Sequence, residues 1–427
     1  MSFNNFTTKM LSITDDNITF SDEIYEKLIN NLHTIVFCAK LTYKSHSCPK
    51  CGNCDDSKII KHGSKNSIVR ILPVNGQPAA IDLKKQRFLC KECKSTFIAE
   101  TSLISKFKSI SNRLKTKILK DISLKVSEID IANLNNVSHS TVSKYIDKDF
   151  RSYRPSYLWL PKHISFDEFK STKDADGSMS FIFTDVENNK IIDIVENRQL
   201  HFLTKYFSRF TDEARAMVET VYIDIYTPYM SLITEMFPNA KIILDRFHIV
   251  NLISKALNKT RIAAMKNFNT STMEYKRLKK YWKLILKDSS TLRSSHFYKY
   301  THFRELKSQE TLVEDCIKCD QELKDTYDAY QIILGDIRTK NFEDLQTHLV
   351  MLKDNVSDEM RTVFETLIEH IEYVNNALKY TYSNGYTEGV NNYIKTIKKV
   401  AFGYKSFFHF RNRILISFKL KQQFNTI

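Results

Sequence analysis

Glycine and proline are scarce in this chain of 427 residues, with eight glycines and seven prolines where an average composition has about 12% of the two together. Few helix breakers favour long helices and few flexible linkers. No apolar run approaches the roughly 18 residues that a membrane span needs, and the N-terminal stretch lacks the apolar core of a signal peptide. These absences argue against a membrane or secreted protein, and we expect a cytoplasmic one.

Basic residues, in contrast, are abundant and unevenly distributed. The formal net charge is +15, to which residues 41–150 contribute +10 and residues 376–427 contribute +8, whereas residues 151–375 sum to −1. Two basic ends around a neutral centre are typical of a protein that holds a polyanion, and DNA or RNA is the usual polyanion. The alternative is lysine inherited from an AT-rich genome, which explains the amount of lysine but not its clustering.

The eight cysteines include two pairs with metal-ligand spacing, CPKCG at residues 48–52 and CKEC at residues 90–93. Without a secretory signal a disulfide framework is not expected, and two such pairs can place four thiolates tetrahedrally around one Zn²⁺. Strand-like stretches at residues 67–72 and 80–89 lie between the pairs, as the hairpin of a zinc ribbon requires. The predicted structural zinc ligands are Cys48, Cys51, Cys90 and Cys93. Cys54 remains open as a replacement for Cys51.

A helix-turn-helix pattern follows a short helical stretch at residues 106–123. Residues 127–134 (SEIDIANL) predict a short helix, residues 135–137 a turn, and Ser138 can cap a second helix over residues 139–147. In a helix-turn-helix, the start of the second helix contacts DNA in the major groove. The predicted contacts there are Ser140, Thr141 and Lys144.

The middle of the chain predicts alternating strands and helices. Strand-like runs occur at residues 163–169, 179–186 and 191–196, followed by a helical region at 200–220, a strand at 221–224, a helix at 228–236 and a strand at 241–244. The order β-β-β-α-β-α-β is that of a ribonuclease-H-like fold, so the predicted class is α/β.

Two acidic residues of this region lie in positions that an apolar strand disfavours. Asp167 is in the middle of the first strand, and Asp224 ends the fourth. A carboxylate in such a place is unfavourable unless it binds a cation or a polar partner. For Asp167 the alternative is a position at a strand edge or reversal. For Asp224 it is a cap of the following helix, and the local sequence does not decide between the two.

Residues 246–380 predict helices almost throughout, with apolar stripes that we assign to the core. Cys316 and Cys319 share one helix face there without a second pair nearby, so we expect core thiols rather than a metal site. The pattern breaks at residues 383–389 (SNGYTEG), and a lysine-rich helix begins near Glu388. Glu388 is either a dipole partner of that helix or the third acid of a metal-dependent nuclease site.

Several sequence blocks resemble those of bacterial insertion-sequence DDE transposases of the ISL3 group. The resemblance covers nearly the whole chain after residue 45. It rests on CPKCG and RFLCKEC in the first third, FDEF at residues 166–169, YIDIYTPY at 222–229, FPNAKIILDRFHIV at 237–250, and the block at 383–414. It implies a ribonuclease-H-like catalytic domain with a helical insertion, preceded by a zinc ribbon and a helix-turn-helix.

The resemblance also implies the catalytic residues. The family's acidic triad transfers to Asp167, Asp224 and Glu388, and its D-x-x-H element transfers to Asp245 and His248, which are thought to assist near the active site. Three carboxylates can hold two Mg²⁺ or Mn²⁺ ions about 4 Å apart. In this interpretation the protein binds the terminal inverted repeats of an insertion sequence, cleaves the ends with water, and joins the freed 3′-hydroxyls to target DNA.

The implied partner is double-stranded DNA, held by a homo-oligomer that is associated with the nucleoid when bound. A basic C-terminal helix would bind phosphates through Lys395, Lys398 and Lys399. The alternative function is a transposase-derived DNA-binding regulator without catalysis, which needs the zinc ribbon and helix-turn-helix but not the triad.

The expected organisation has six segments. These are an N-terminal helical segment (1–44), a zinc ribbon (45–100), a helix-turn-helix domain (101–150), the first part of the catalytic domain (155–260), a helical insertion (261–375), and the closing part of the catalytic domain with the basic C-terminal helix (376–427).

Overall fold

The computed structural model describes residues 3–150, 153–380 and 385–424. The chain divides into two compact units. Unit 1 is built from Met1–Tyr153, Thr172–Asp174 and Tyr393–Ile427, and unit 2 from Arg154–Ser171 and Ala175–Asn392. Among the helices of the described ranges, none is both long and apolar enough to cross a membrane.

Unit 1 contains a five-stranded sheet. After helix α1 (Phe3–Met10), its strands are β1 (Ile18–Ile29), β2 (Leu32–Leu41), β3 (Ile59–Val74), β4 (Gln77–Cys90) and β5 (Thr96–Ile98). The strand order is β1-β2-β4-β3, with β5 also paired to β4. Strands β2 and β4 run parallel and the other neighbours antiparallel. Alternate apolar side chains such as Leu41 and Leu83 are fully buried in the core of this sheet.

Residues 1–44 differ from the predicted helical segment, because only α1 is helical and most of the remainder forms the β1–β2 hairpin. Strand β2 (LHTIVFCAKL) is rich in β-branched and aromatic residues and buries Val36 and Phe37, which favours a sheet over a helix. Asn30 and Asn31 both have positive φ, at 52° and 62°, as a two-residue type I′ turn requires. These two asparagines are the sequence signal for the hairpin.

Three helices follow the sheet of unit 1, namely α2 (Asn112–Ile122), α3 (Glu128–Leu134) and α4 (His139–Phe150). Helix α3 begins with a capping box in which Ser127 and Asp130 bond each other's backbone amides. Both helices of the predicted helix-turn-helix pattern are therefore present. At the start of α4, Ser140 and Lys144 are exposed and Thr141 is half-buried.

Unit 2 contains a second five-stranded sheet. Its elements are β6 (His163–Lys170), β7 (Met179–Asp185), β8 (Lys190–Val195), α5 (Leu200–Phe207), α6 (Asp212–Ala216), β9 (Thr220–Ile223), α7 (Thr227–Met236) and β10 (Lys241–Leu244). The strand order is β10-β9-β6-β7-β8. Strands β6, β7 and β8 are antiparallel, whereas β9 is parallel to both β6 and β10. All five predicted strands are present, and the predicted helix at 200–220 is divided where Thr211 caps α6.

A helical block follows in unit 2. It consists of α8 (Arg246–Lys266), α9 (Met273–Lys280), α10 (Trp282–Ile285), α11 (Gln309–Ile317), α12 (Gln321–Thr339), α13 (Phe342–Leu352), α14 (Asp358–Glu369) and α15 (Ile371–Lys379), with a small ribbon of β11 (Tyr298–Lys299) and β12 (Leu306–Lys307). Its core is continuous with that of the sheet. Cys316 is buried and Cys319 half-buried, as expected of core thiols.

The last two helices are α16 (Gly385–Val400) and α17 (Phe407–Phe424). Residues 383 and 384 of the predicted break lie outside the described residues. Residues 376–427 differ from the expected single closing part of the catalytic domain, because the chain from Tyr393 onward belongs to unit 1. The reason is the packing of α17 against α2 and α4. The buried Arg413 of α17 donates hydrogen bonds to the carbonyls of Leu124 and Val126, both at 3.1 Å.

Candidate active site and zinc centre

Four cysteines converge in unit 1. The Sγ atoms of Cys48, Cys51, Cys90 and Cys93 all lie within 4.8 Å of one another. Cys48 and Cys93 are 3.7 Å apart, and Cys51 and Cys90 are 3.8 Å apart. Sulfurs bound tetrahedrally to Zn²⁺ at about 2.3 Å are separated by about 3.8 Å. The cysteine positions therefore fit a structural zinc ion.

Local backbone geometry positions these thiols. Each Cys-x-x-Cys pair is followed by a residue with positive φ, Gly52 at 74° and Lys94 at 52°, which turns the chain back around the site. Backbone amides of Cys51 and Lys50 lower the pKa of Cys48 to about 6, which favours the thiolate form that binds metal. The long β3–β4 hairpin accounts for the 38-residue spacer between the pairs.

Cys54 lies outside this cluster. Its thiol is exposed and donates to the carbonyl of Gly52 at 3.3 Å. The alternative in which Cys54 replaces Cys51 therefore finds no support in the geometry.

In unit 2, three acidic residues lie at neighbouring strands. Asp167 is on β6, Asp224 directly follows β9, and Asp245 directly follows β10. Because β6, β9 and β10 are mutually parallel, the carboxyl ends of these strands lie at one edge of the sheet, where α/β proteins bind their ligands. Glu388 comes to the same region from the first turn of α16.

His248 links these acids. Its Nε2 lies 3.1 Å from Asp224 Oδ1 and 4.0 Å from Glu388 Oε1. Ligand atoms of Asp224, Asp245 and His248 all lie within 4.8 Å of one another. Asp245 also caps α8 by accepting the amide of Phe247 at 2.9 Å, which places His248 in the first turn of that helix. The D-x-x-H spacing thus directs both side chains toward one site.

Asp224 and Glu168 line an open cleft of about 220 Å³. Its walls include Glu168, Asp224, Tyr226, His248 and Lys255. Lys255 is exposed on α8. An open cleft lined by two acids and a lysine suits a substrate that is bound from outside.

Burial and mutual repulsion perturb two of these carboxyl groups. Burial raises the pKa of Asp167 to about 7, helped by the negative charges of Asp224 and Glu168. Burial also raises the pKa of Asp224 to about 7, helped by Asp245, Glu168 and Glu388. Asp224 Oδ1 is buried beside the His248 imidazole. Desolvated carboxylates that repel one another fit the binding of divalent cations.

Neither Asp224 nor Asp167 occupies the alternative position that the sequence left open, a helix cap for Asp224 and a strand edge for Asp167. The cap of α7 is Tyr226, without a side-chain hydrogen bond, so Asp224 is not the cap of the following helix. Asp167 pairs with Ile182 of β7, and β6 pairs with β9 over residues 163–165. Strand β6 is therefore an inner strand of its sheet, not an edge strand.

Two polar residues of the site were missed from the sequence. Asn391 donates from Nδ2 to Asp167 Oδ2 at 2.6 Å and to the carbonyl of Glu168 at 3.2 Å. Glu168 accepts from Arg198 and, at 2.8 Å, from the hydroxyl of Tyr229. Asn391 lies three residues after Glu388, hence on the same helix face, and this spacing is the signal that could have revealed it. Because adjacent side chains of a strand point to opposite faces, the pattern places Glu168 on the face opposite Asp167 and does not indicate that Glu168 belongs to the site.

The other predicted residues lie in unit 1. Ser140, Thr141 and Lys144 are on α4, and Lys395, Lys398 and Lys399 are on the part of α16 that belongs to unit 1. Lys395 and Lys399 are exposed, whereas Lys398 is half-buried near the ring of Phe410.

Comparison with known families gives two matches. Residues 164–414 match the family model of the ISL3 transposases, described as "Transposase". Residues 44–93 match a family described as the zinc-finger of transposase IS204/IS1001/IS1096/IS1165. The first match covers more than half of the chain, including every residue of the acidic cleft, and the second includes all four clustered cysteines.

One relative among curated proteins is described as an ATP-dependent protease of Lactococcus lactis subsp. lactis. It is 33% identical over 108 residues, which is 25% of this chain and 34% of that protein. The chain thus matches about a third of the length of this relative. The glycine-rich phosphate loop G-x-x-x-x-G-K-[ST] does not occur in the present sequence.

Proposed function

The chain belongs to the ISL3 family of transposases, and on that premise we propose that it is a metal-dependent DNA transposase. It would bind the ends of an insertion sequence, cleave them by hydrolysis and join the 3′-hydroxyl ends to target DNA. The observation that supports this most directly is the closeness of Asp224, Asp245, His248 and Glu388 in unit 2, with Asp167 within electrostatic reach of Asp224.

The proposed fold of unit 2 is ribonuclease-H-like. Three antiparallel strands followed by two parallel ones, in the order β10-β9-β6-β7-β8, agree with the topology inferred from the sequence pattern. The helical block at α9–α15 would be the insertion between β10 and the helix that supplies Glu388. In this arrangement the acids come from a central strand, the ends of its neighbours and a late helix.

Asp167, Asp224 and Glu388 would hold Mg²⁺ or Mn²⁺, with Asp245 and His248 beside them. Two such ions, when bound, activate the attacking oxygen and stabilise the leaving oxygen of an in-line displacement at phosphorus. Asn391 holds the Asp167 carboxylate in one orientation. Lys255 would bind a phosphate oxygen of the DNA at the mouth of the cleft.

DNA recognition would belong to unit 1. We propose that α3 and α4 act as a helix-turn-helix, with Ser140, Thr141 and Lys144 near the bases, and that the zinc-bound ribbon supports the same surface. Lys395, Lys398 and Lys399 would bind phosphates. Because two ends of the element must be joined to one target, the active species would be a homo-oligomer on DNA.

The test is cleavage of a donor plasmid that contains the element's own ends, with Mg²⁺ or Mn²⁺. Glu388→Gln should abolish cutting and retain DNA binding, whereas Glu359→Gln, an exposed acid of α14 in the same unit, should cut like the parent protein. Binding without cutting by the parent would favour the regulator instead. Undiminished cutting by Glu388→Gln would show that Glu388 is not the third acid.

A further inference from the structure

Helix α16 ends at a turn in which a phenylalanine takes the place usually held by glycine. The amide of Phe402 bonds the carbonyl of Lys399 at 3.1 Å, and the amide of Gly403 bonds that of Lys398 at 2.9 Å. This pair of bonds defines a Schellman motif, in which the residue after the cap is left-handed and most often glycine. Here that residue is Phe402, with φ 53°.

Phe402 gains no packing in return for this backbone conformation. A left-handed backbone is unfavourable for a bulky L-residue, and an apolar side chain normally offsets such a cost by burial. The Phe402 side chain is instead fully exposed, with a relative accessible area of 101%. Glycine at this position would satisfy the turn better, so local stability does not explain the aromatic ring.

The turn that presents Phe402 is held by these two backbone bonds on its N-terminal side and by further contacts on its C-terminal side. Two residues later the ring of Tyr404 stacks on Phe410, with centroids 4.5 Å apart. The first amide of α17, that of Phe407, donates to both carboxylate oxygens of Asp174 at 3.1 Å. The ring of Phe402 therefore projects from a fixed turn, which lowers the conformational entropy that a binding partner would have to remove.

The surroundings of this ring are strongly basic. Lys395, Lys399 and Lys405 are exposed near the turn in sequence, and residues 393–427 contain eight Lys and Arg but no Asp or Glu. The same combination recurs once more in unit 1, where Phe107 has φ 61° and is 93% exposed between Lys106 and Lys108. An exposed aromatic ring among cations matches nucleic acid, whose bases stack on aromatic rings while its phosphates bind lysine.

We propose that Phe402 is a stacking residue for an unpaired or unstacked DNA base, with the neighbouring lysines on the flanking phosphates. This site rests on the DNA-binding function proposed above and deepens it, because it assigns a contact to distorted DNA rather than to a regular duplex. Where a transposon end is unpaired or distorted during cleavage or strand transfer, a ring at this position would stabilise the exposed base.

The test compares two DNA probes, a fully paired duplex and the same duplex with a short unpaired bubble. The parent protein should bind the bubble more tightly, and Phe402→Ala should lose roughly 5- to 140-fold of affinity for the bubble, the range of a base–aromatic stack, with little change for the duplex. Phe402→Trp should retain the preference. Phe297→Ala, an exposed phenylalanine of unit 2, is the matched control. Light-induced cross-linking of 5-iodouracil in the bubble should map to Phe402.

Phe402→Gly separates stacking from folding. It should raise the midpoint of thermal unfolding, because glycine adopts the left-handed turn without strain, and still lose the bubble preference. Equal binding of both probes by the parent and by Phe402→Ala would overturn the stacking site while leaving DNA binding intact. Failure of the parent to bind either probe would overturn the DNA-binding function as well. A change in oligomeric state by light scattering, without a change in bubble affinity, would assign Phe402 to a contact between copies.

Discussion

Replacing Asp167 by asparagine should stabilise unit 2 near pH 8 in buffer free of Mg²⁺ and Mn²⁺. The Asp167 carboxyl is held near the carboxylates of Asp224 and Glu168, and its pKa is raised from 3.8 to about 7 mainly by burial. A carboxylate with a raised pKa weakens the folded state once it is ionised, because the unfolded chain solvates the same charge freely. Asparagine removes the charge at nearly the same volume.

The size of the effect follows from the pKa shift. A rise of about 3 pKa units corresponds to about 4 kcal/mol at most. Asparagine has one acceptor oxygen, whereas the Asp167 carboxylate accepts from both the Asn391 side chain and the amide of Glu168. Losing one of these hydrogen bonds subtracts about 1–2 kcal/mol. The expected net gain in the free energy of unfolding is therefore about 2 kcal/mol.

The gain should depend on pH with a defined sign. The folded-state pKa of Asp167 lies above the unfolded value, so the parent binds more protons when folded and loses stability as pH rises from 3.8 to about 7. Above about 7 the penalty is constant, and below 3.8 it is absent. The advantage of Asp167→Asn should thus be full near pH 8 and vanish near pH 4.

Intrinsic fluorescence can measure this directly. Both tryptophans of the chain, Trp159 and Trp282, belong to unit 2, so urea unfolding followed by tryptophan emission reports on that unit. Asp354→Asn, an exposed aspartate of the same unit, is the control and should change stability by less than about 0.5 kcal/mol. If Asp167→Asn is neutral or destabilising near pH 8, burial and the neighbouring carboxylates do not penalise the ionised Asp167, and the cation-site argument fails.

Further outcomes follow from the same structure. Calorimetric Mg²⁺ affinity should rise as pH rises through about 7, because Asp167 and Asp224 must lose their protons; an affinity independent of pH would contradict this. Cys51→Ser should lose the zinc that Cys54→Ser retains, measured as released zinc per chain; equal zinc contents would mean that Cys54 can substitute. Burial lowers the pKa of His409, but the carboxylates of Glu128 and Asp147 outweigh burial and raise this pKa from 6.5 to about 9. The variant His409→Gln should therefore lose about 3 kcal/mol of the free energy of unfolding below pH 6.5. That loss should fade as pH rises through 9. Hydrogen exchange of α17 in the variant and the parent at each pH measures it, and a difference that does not change with pH would refute the claim that His409 is charged.

Much of unit 2 was predictable because its signals are local. The strands of the five-stranded sheet in unit 2 are short apolar runs bounded by turn residues, and they appear where the pattern indicates them. The Cys-x-x-Cys spacing also predicted that the two cysteine pairs share one zinc site, and the four thiols converge as a zinc ribbon requires. Such features depend on residues a few positions apart, so periodicity and turn chemistry reveal them.

Other features depend on partners far along the chain. Asn391 and Asp167 are separated by 224 residues and still share a hydrogen bond. The assignment of α17 to unit 1 rests on Arg413, which lies 289 residues from its partner Leu124. The i, i+3 spacing from Glu388 can indicate that Asn391 belongs to the site, but no local pattern shows that Asn391 pairs with Asp167 or that Arg413 pairs with Leu124.

The sequence by itself determined the order along the chain of the strands in the five-stranded sheet of unit 2, the two cysteine pairs and the family. Only the tertiary structure decided that residues 18–41 form a hairpin, which acids lie together, that Cys51 rather than Cys54 joins the thiol cluster, and that α17 packs on α2 and α4. The physical reason is that side-chain identity and spacing set local conformation, whereas burial, repulsion between carboxylates and long-range hydrogen bonds exist only after distant segments have come into contact.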